Sequence, residues 1–196
     1  MRSYGACPVV SHDPSKIEFI LKIDPEDYVK FKPYISYLSE NAIRYKILCY
    51  PKFEGYDSAY YFYDSMAWLA SGHTIWALDV PVLKGDWLSV FSKARGVFDD
   101  NIYTINVIGN SVSRSRNGFL AISAEWLRFF GCFVPTFYGD KFVKTLGFRI
   151  GRIIHDRSIR FDHEGRKKKR KLSKRTVKKL TEEFVVKYVD KFNRRK

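Results

Sequence analysis

Apolar and polar residues alternate through IEFILKI, where Ile17, Phe19, Leu21 and Ile23 fall on one side at the period of a strand with one buried face. Asp24-Pro25-Glu26-Asp27 then supplies a cap, a proline and first-turn carboxylates. Tyr28, Phe31, Ile35 and Leu38 follow at spacings of three, four and three, one stripe of a helix. AIRYKILCY (42–50) predicts a second strand ending at Pro51, and Tyr56 to Ala70 predicts a helix closed by Ser71-Gly72. TIWALDVPVL (74–83) predicts one buried strand ending near Pro81. Asp86 to Phe98 predicts a helix carrying Leu88, Phe91, Ala94 and Val97, and NIYTINVIG (101–109) a further strand.

The polar stretch NSVSRSRN (110–117) predicts a loop, and Phe119 to Phe130 another apolar helix. Past Gly131 the pattern is weaker. CFVPTFY predicts a short strand, DKFVKTLG a short helix, and FRIGRIIHDRSIRF an irregular or extended basic segment. Lys174 to Phe192 predicts a helix opened by Ser173 and docked through Val177, Leu180, Phe184 and Tyr188. No internal repeat is present. Strands alternating with helices imply an α/β fold with a mainly parallel sheet and flanking helices, followed by a basic arm and helix.

Composition narrows the class. At 196 residues, 45% apolar and 29% charged, the chain fits one soluble domain. No apolar run approaches the ~18 residues of a membrane span, and the first thirty residues lack the basic-then-apolar order of a signal peptide. No membrane partner is therefore expected. Cys7, Cys49 and Cys132 form an odd set without C-x-x-C spacing, which encodes neither a disulfide framework nor a zinc knuckle. They point to a reducing, intracellular compartment: cytoplasm or nucleoid, or nucleus in a eukaryotic host.

Charge changes the picture most. Residues 1–148 hold 16 Lys+Arg and 15 Asp+Glu, whereas residues 149–196 hold 19 and 6, a net of +13 out of the chain's +14. This asymmetry divides the chain into an α/β body (1–148) and a basic C-terminal arm with a terminal helix (149–196). The run Arg166, Lys167, Lys168, Lys169, Arg170, Lys171 contains no acid, so its self-repulsion calls for an external anion. Six consecutive cations also cannot share one helix face. The nucleic-acid-binding residues expected are these six together with Lys174, Arg175, Lys178 and Lys179 on the terminal helix. Lys167 to Lys171 also resembles a monopartite nuclear localisation signal.

GHTIWALDVPVLKGDWLSVFSKARGVFDDNIYTINVIGNSVSRSRNGFLAISAEWL resembles the central part of the serine recombinases, the resolvases and DNA invertases. That family orders a G-D-T strand, an L-D-R-L-x-R-S segment, a helix, a strand, a polar loop with a glycine, and a long helix. Gly72, Thr74, Leu78-Asp79, the helix to Phe98, the strand to Ile108 and Gly118 come in the same order. GRKKKRKLSKRTVKKL (165–180) resembles the linker that opens the family's small DNA-binding module. The resemblance covers about half the chain and implies DNA rather than RNA as the partner. It places Ser11, in ACPVVSHD, nearest the family's nucleophile. Val9, Val80 and Leu83 stand where that family has arginines, and YDSAYYFY lacks another. Such arginines neutralise the scissile phosphate, so the resemblance implies a catalytically inactive relative.

Other chemistry is sparse. Asp79, with Asp57 or Glu125, offers carboxylates for a divalent cation in phosphodiester cleavage, although no spacing supports it. His155-Asp156 and His163-Glu164 lie in the most basic region, which repels cations, and read as phosphate contacts or surface residues. No phosphate-loop or dinucleotide fingerprint occurs, so no cofactor is expected. Trp68, Trp76, Trp87 and Trp126 fall in apolar elements and read mostly as core. Tyr56, Tyr60, Tyr61 and Tyr63 are denser than one helix face needs and offer rings to bases or to a protein. Two alternatives to a DNA-binding protein remain at this stage: a phosphodiester-cleaving or recombining enzyme, and a viral or ribonucleoprotein assembly protein. Homo-oligomerisation is left open.

Overall fold

The computed structural model of the chain describes residues 13–51, 59–76, 82–84, 86–107, 119–135, 139–156, 158, 160–162 and 174–195. After a short 3-10 turn (Pro14–Lys16) come β1 (Glu18–Ile23), a second such turn (Pro25–Asp27), α1 (Tyr28–Glu40), β2 (Arg44–Cys49) and α2 (Ala59–Leu69). Then follow β3 (Thr74–Trp76), β4 (Val82–Lys84), α3 (Trp87–Ala94), β5 (Thr104–Val107), β6 (Phe119–Ser123) and α4 (Ala124–Phe130). The last elements are α5 (Gly139–Arg149), β7 (Ile153–Asp156), β8 (Arg160–Asp162) and α6 (Lys174–Asn193). The fold is α/β, as the alternation predicts.

Strand pairing is mixed, which corrects the expectation of a mainly parallel sheet. β1 and β2 pair in parallel, from Glu18 opposite Arg44 to Ile23 opposite Cys49. A four-stranded sheet has the order β3-β6-β5-β7, and β4 pairs with β8. β6 is antiparallel to both its neighbours, β5 and β7 are parallel, and β4 and β8 are antiparallel. The difference originates in β6, whose FLAIS segment reads in the sequence as the start of a helix. Ala121, Ile122 and Ser123 are all buried, and a central strand covered on both faces shows no alternation to distinguish it from a helix. A parallel return needs about a dozen residues or more, and only 11 separate Val107 from Phe119, so the pairing is antiparallel. The single strand expected over 74–83 is likewise two short strands, one paired with β6 and the other with β8.

Two faces of the four-stranded sheet are covered. On one, Ile105, Val107 and Ala121 pack with Tyr103 and with Trp87, Val90 and Phe91 of α3. Asp86 caps that helix by accepting the Ser89 N–H at 3.0 Å. On the other face, Ile122 meets Trp126 and Phe130 of α4, Phe142, Val143 and Leu146 of α5, and Val185 and Phe192 of α6. Gly147 lets α5 lie directly on the sheet, because a Cβ there would strike the Thr104 methyl. Ser123 joins strand to helix: its buried hydroxyl accepts the Trp126 N–H at 3.0 Å and the Tyr103 N–H at 3.2 Å. α4 ends at Gly131, whose φ of 80° suits a residue without a Cβ. Ile17, Leu38 and Ile43 make a smaller core beside β1 and α1, backed by Trp87 and Leu88.

The strand expected in CFVPTFY is absent from its described residues, 132–135, which form an irregular turn tied down by Asp64 of α2. The Asp64 carboxylate accepts the Phe133 N–H at 2.6 Å and the Val134 N–H at 2.8 Å. Burial pushes this carboxyl above the usual range, against the pull of those two N–H donors. An acid raised in the folded state takes up its proton more readily there than in the unfolded chain. Its contribution to stability therefore grows as pH falls through that range and is lost as pH rises. Asp64→Ala leaves two buried donors unpaired and is expected to cost about 2 to 4 kcal/mol in a denaturant titration. Asp64→Asn keeps an acceptor and sheds the buried charge, so it should retain most of the stability; equal losses from both variants would contradict this account.

The segment 149–196 is not laid out as a separate arm. FRIGRIIHDRSIRF, expected as irregular or extended, is extended where it supplies β7, the edge strand beside β5, and β8. α6 spans the helix expected from Lys174 and docks through the expected Phe184 and Tyr188 together with residues one position round; the Val177 side chain lies outside the described residues. Thr181, Val185 and Phe192 are buried, and Phe184, Tyr188 and Val189 pack against the same core. The boundary after residue 148 is thus crossed by both the sheet and the main core. Among the described residues no helix is long and apolar enough to cross a membrane.

Candidate nucleic-acid interface

α6 is a 20-residue helix, about 30 Å long by its rise per residue, held to the body along its later turns. Its first turns carry the cations singled out in the sequence. Lys174 opens the helix, and Arg175, Lys178 and Lys179 are exposed. Among the described residues no acid stands within ion-pair distance of Arg175 or Lys178. Lys179 approaches Glu183 one turn on at 3.9 Å, and both side chains are well exposed, so water screens the pair. The structure thus brings three of the ten expected cations onto one solvent-facing helix end, with Lys174 at its start. Arg166 to Lys171 lie outside the described residues, as do Ser11, Asp57, Tyr56, Asp79, His163 and Glu164.

Several C-terminal cations are engaged in the fold instead. Arg152 lies over the rings of Phe98 at 4.7 Å and Phe192 at 5.4 Å, and reaches Asp100 at 3.4 Å. Arg195 reaches the same carboxylate at 2.9 Å and lies over Phe129. Arg149 pairs with Glu182. Counting charge along the chain missed this division of labour, and no local signal marks it: Asp100 is 52 residues from Arg152 and 95 from Arg195. The far end of α6 borders a groove of about 770 Å³ floored by Phe130 and Tyr188. There Glu183 and Asp190 interleave with Lys187, Lys191 and Arg194, so its rim carries no uniform field for a polyanion.

The candidate chemistry elsewhere is structural. His155 projects from β7 toward Asn106 of β5, with His155 Nδ1 3.2 Å from Asn106 Nδ2. Asp156 accepts the Ser158 N–H and hydroxyl in a turn. Glu125 bonds Arg128 one turn along α4. Among the described residues no three His, Cys, Asp or Glu side chains converge to hold a metal ion. Cys132 is buried, and its thiol donates to the Tyr188 hydroxyl at 3.2 Å. Burial pushes both the thiol and the phenol upward, which keeps Cys132 protonated and poorly nucleophilic near neutral pH. Of the expected core tryptophans, Trp126 is buried and Trp76 stacks obliquely against Trp87, but Trp68 faces solvent. Tyr63 packs edge-on to Phe133 in the core rather than offering a free ring.

The chain matches no family model and no curated protein sequence.

Proposed function

We propose that this is a nucleic-acid-binding protein, with DNA as the favoured partner, which grips the phosphate backbone through the basic entry of α6 and the run preceding it. The observation that carries the reading is the exposed set Arg175, Lys178 and Lys179, of which only Lys179 approaches an acid among the described residues, at the start of a helix whose later turns are packed in the core. A helix so anchored presents its cations without having to be ordered on binding, and the acid-free run Arg166 to Lys171 continues the charge immediately upstream. Phosphate contacts of this kind fix position and supply affinity but read no sequence. The preference for DNA rests on the likeness of residues 165–180 to the serine-recombinase linker. Val9, Val80 and Leu83, where that family has arginines, favour a binding role over strand cleavage. The cysteine pattern favours a reducing, intracellular setting.

Replacing Lys178 and Lys179 with Gln tests the reading. Both side chains are exposed, so the fold should be unaffected. Affinity should fall about equally for unrelated sequences, and the slope of log affinity against log salt should flatten by up to ~2. Unchanged affinity and slope would remove α6 from the binding surface.

A further inference from the structure

Past its basic entry, α6 carries a different pattern on the face turned away from the core. Glu183, Lys187, Asp190 and Arg194 are all exposed and follow one another at spacings of four, three and four, so they form one stripe along the helix. The Arg194 N–H still donates to the Asp190 carbonyl at 3.1 Å, which carries the helical spacing through to the end of the stripe. Val185 and Phe192, on the opposite face, are buried. Glu183 has Lys179 at 3.9 Å, a pair screened by water. Among the described residues no opposite charge stands within ion-pair distance of Lys187, Asp190 or Arg194. Exposed Val186 flanks the stripe, and the groove over Phe130 and Tyr188 borders it.

The order along the stripe is acid, base, acid, base, which is its own complement when reversed. We propose that two copies of this chain pair antiparallel along α6 on a DNA duplex, with Glu183 opposite the second copy's Arg194 and Lys187 opposite the second copy's Asp190. A two-fold axis repeats each contact, whereas parallel pairing in register sets like charge against like. With two acids and two bases the stripe is neutral, so it offers no attraction to phosphate or to an anionic lipid surface. Exposed ion pairs fix register and orientation more than they add affinity, so the pair is weak in free solution and is held by a shared ligand. Here the inference rests on the reading of the α6 entry as a DNA contact. Arg175, Lys178 and Lys179 lie about a quarter turn round the helix from the stripe, and the two-fold axis brings both sets to one side of the pair. Each set stands about 11 residues from the midpoint of the stripe, so the two lie about 34 Å apart along the pair. One turn of B-DNA spans about 34 to 36 Å. Two copies joined in this way meet one face of a duplex on successive turns, and each keeps the other at high local concentration.

Glu183 and Arg194 lie about 16 Å apart along one helix and cannot reach each other within a copy, so they isolate the contact between copies. Binding to a 24-base-pair duplex is to be compared for the full chain, Glu183→Arg, Arg194→Glu and the combined Glu183→Arg/Arg194→Glu. The parent should take up its second copy at least about tenfold more tightly than its first. Each single variant sets like charges together and should lose that cooperativity, and the combined variant, which exchanges the charges at unchanged net charge, should regain it. On an 8-base-pair duplex, about 27 Å long, none of the four should bind cooperatively. Cooperativity that is absent from the parent, equal in all four proteins, or lost in the single variants and not regained in the exchange overturns the proposal. In each of those cases the reading of the α6 entry stands if Lys178→Gln/Lys179→Gln still weakens duplex binding. Affinity that rises in Glu183→Arg and falls in Arg194→Glu at unchanged cooperativity would assign the stripe to the DNA itself and overturn the pairing equally. A parent chain that binds no duplex overturns both.

Discussion

Ending the chain at Ser173 is expected to abolish cooperative folding rather than trim a tail. The deletion removes Val185 and Phe192 from the main core and strips Phe184, Tyr188 and Val189 from its side. At about 1.5 to 3 kcal/mol for each large apolar side chain buried, less for those half-buried, the loss is comparable with the ~5 to 15 kcal/mol that holds a domain together. It also frees Asp100 of Arg195 and uncovers Cys132, whose thiol donates to Tyr188. The truncated chain should show no sigmoidal thermal transition, and Cys132 should be alkylated as readily as Cys49, which is exposed in the intact protein. Phe192→Ala, a gentler version, should cost about 3 to 5 kcal/mol and leave a weakened but cooperative transition. A truncated chain with a native-like transition and a protected Cys132 would contradict this packing. The charge asymmetry alone implies the opposite result, a body that folds without residues 166–196, because the sequence shows where the cations are but not where the apolar residues between them dock.

That contrast marks what the sequence makes legible. β1, α1, β2, α2 and α3 follow from local signals: alternation in IEFILKI, a three-four-three stripe after Asp27, and an Asp cap at residue 86 that the structure realises. The stripe in α1 nevertheless overstates its burial, since Tyr28 and Phe31 are exposed. Periodicity reports which residues share a face and not what that face meets. β6 is hidden because a strand covered on both sides carries no alternation, and reading it as helix converts an antiparallel return into an apparent parallel crossover. β7 is hidden because its four residues sit between basic neighbours, and only pairing with β5, some fifty residues earlier in the chain, makes them a strand. In α6 apolar residues at 184, 185, 188, 189 and 192 fill two adjacent faces, so the sequence fixes helix but leaves rotation open by one position. Thr181 is buried at that position, where a polar residue reads as facing out.

The cations of the candidate interface were legible in part for the same reason. Composition alone isolates Arg166 to Lys171 and the entry of α6, because a run of cations without acids needs no tertiary information to recognise. It cannot tell that Arg149, Arg152 and Arg195 are engaged by Glu182 and Asp100, partners supplied by chain folding. Of the tyrosines around residue 60, Tyr63 packs against the core, and the side chains of Tyr56, Tyr60 and Tyr61 lie outside the described residues.

Salt dependence of DNA binding tests the electrostatic grip most directly. If the run Arg166 to Lys171 and the entry of α6 together make about 6 to 10 phosphate contacts, affinity for a duplex of arbitrary sequence should fall by roughly 10³ to 10⁵ between 50 and 200 mM salt. The slope of log affinity against log salt should be linear and should flatten in Lys178→Gln/Lys179→Gln. An affinity that stays within a few-fold over that range, or a duplex not bound at 50 mM salt, would contradict a phosphate-gripping role for this helix.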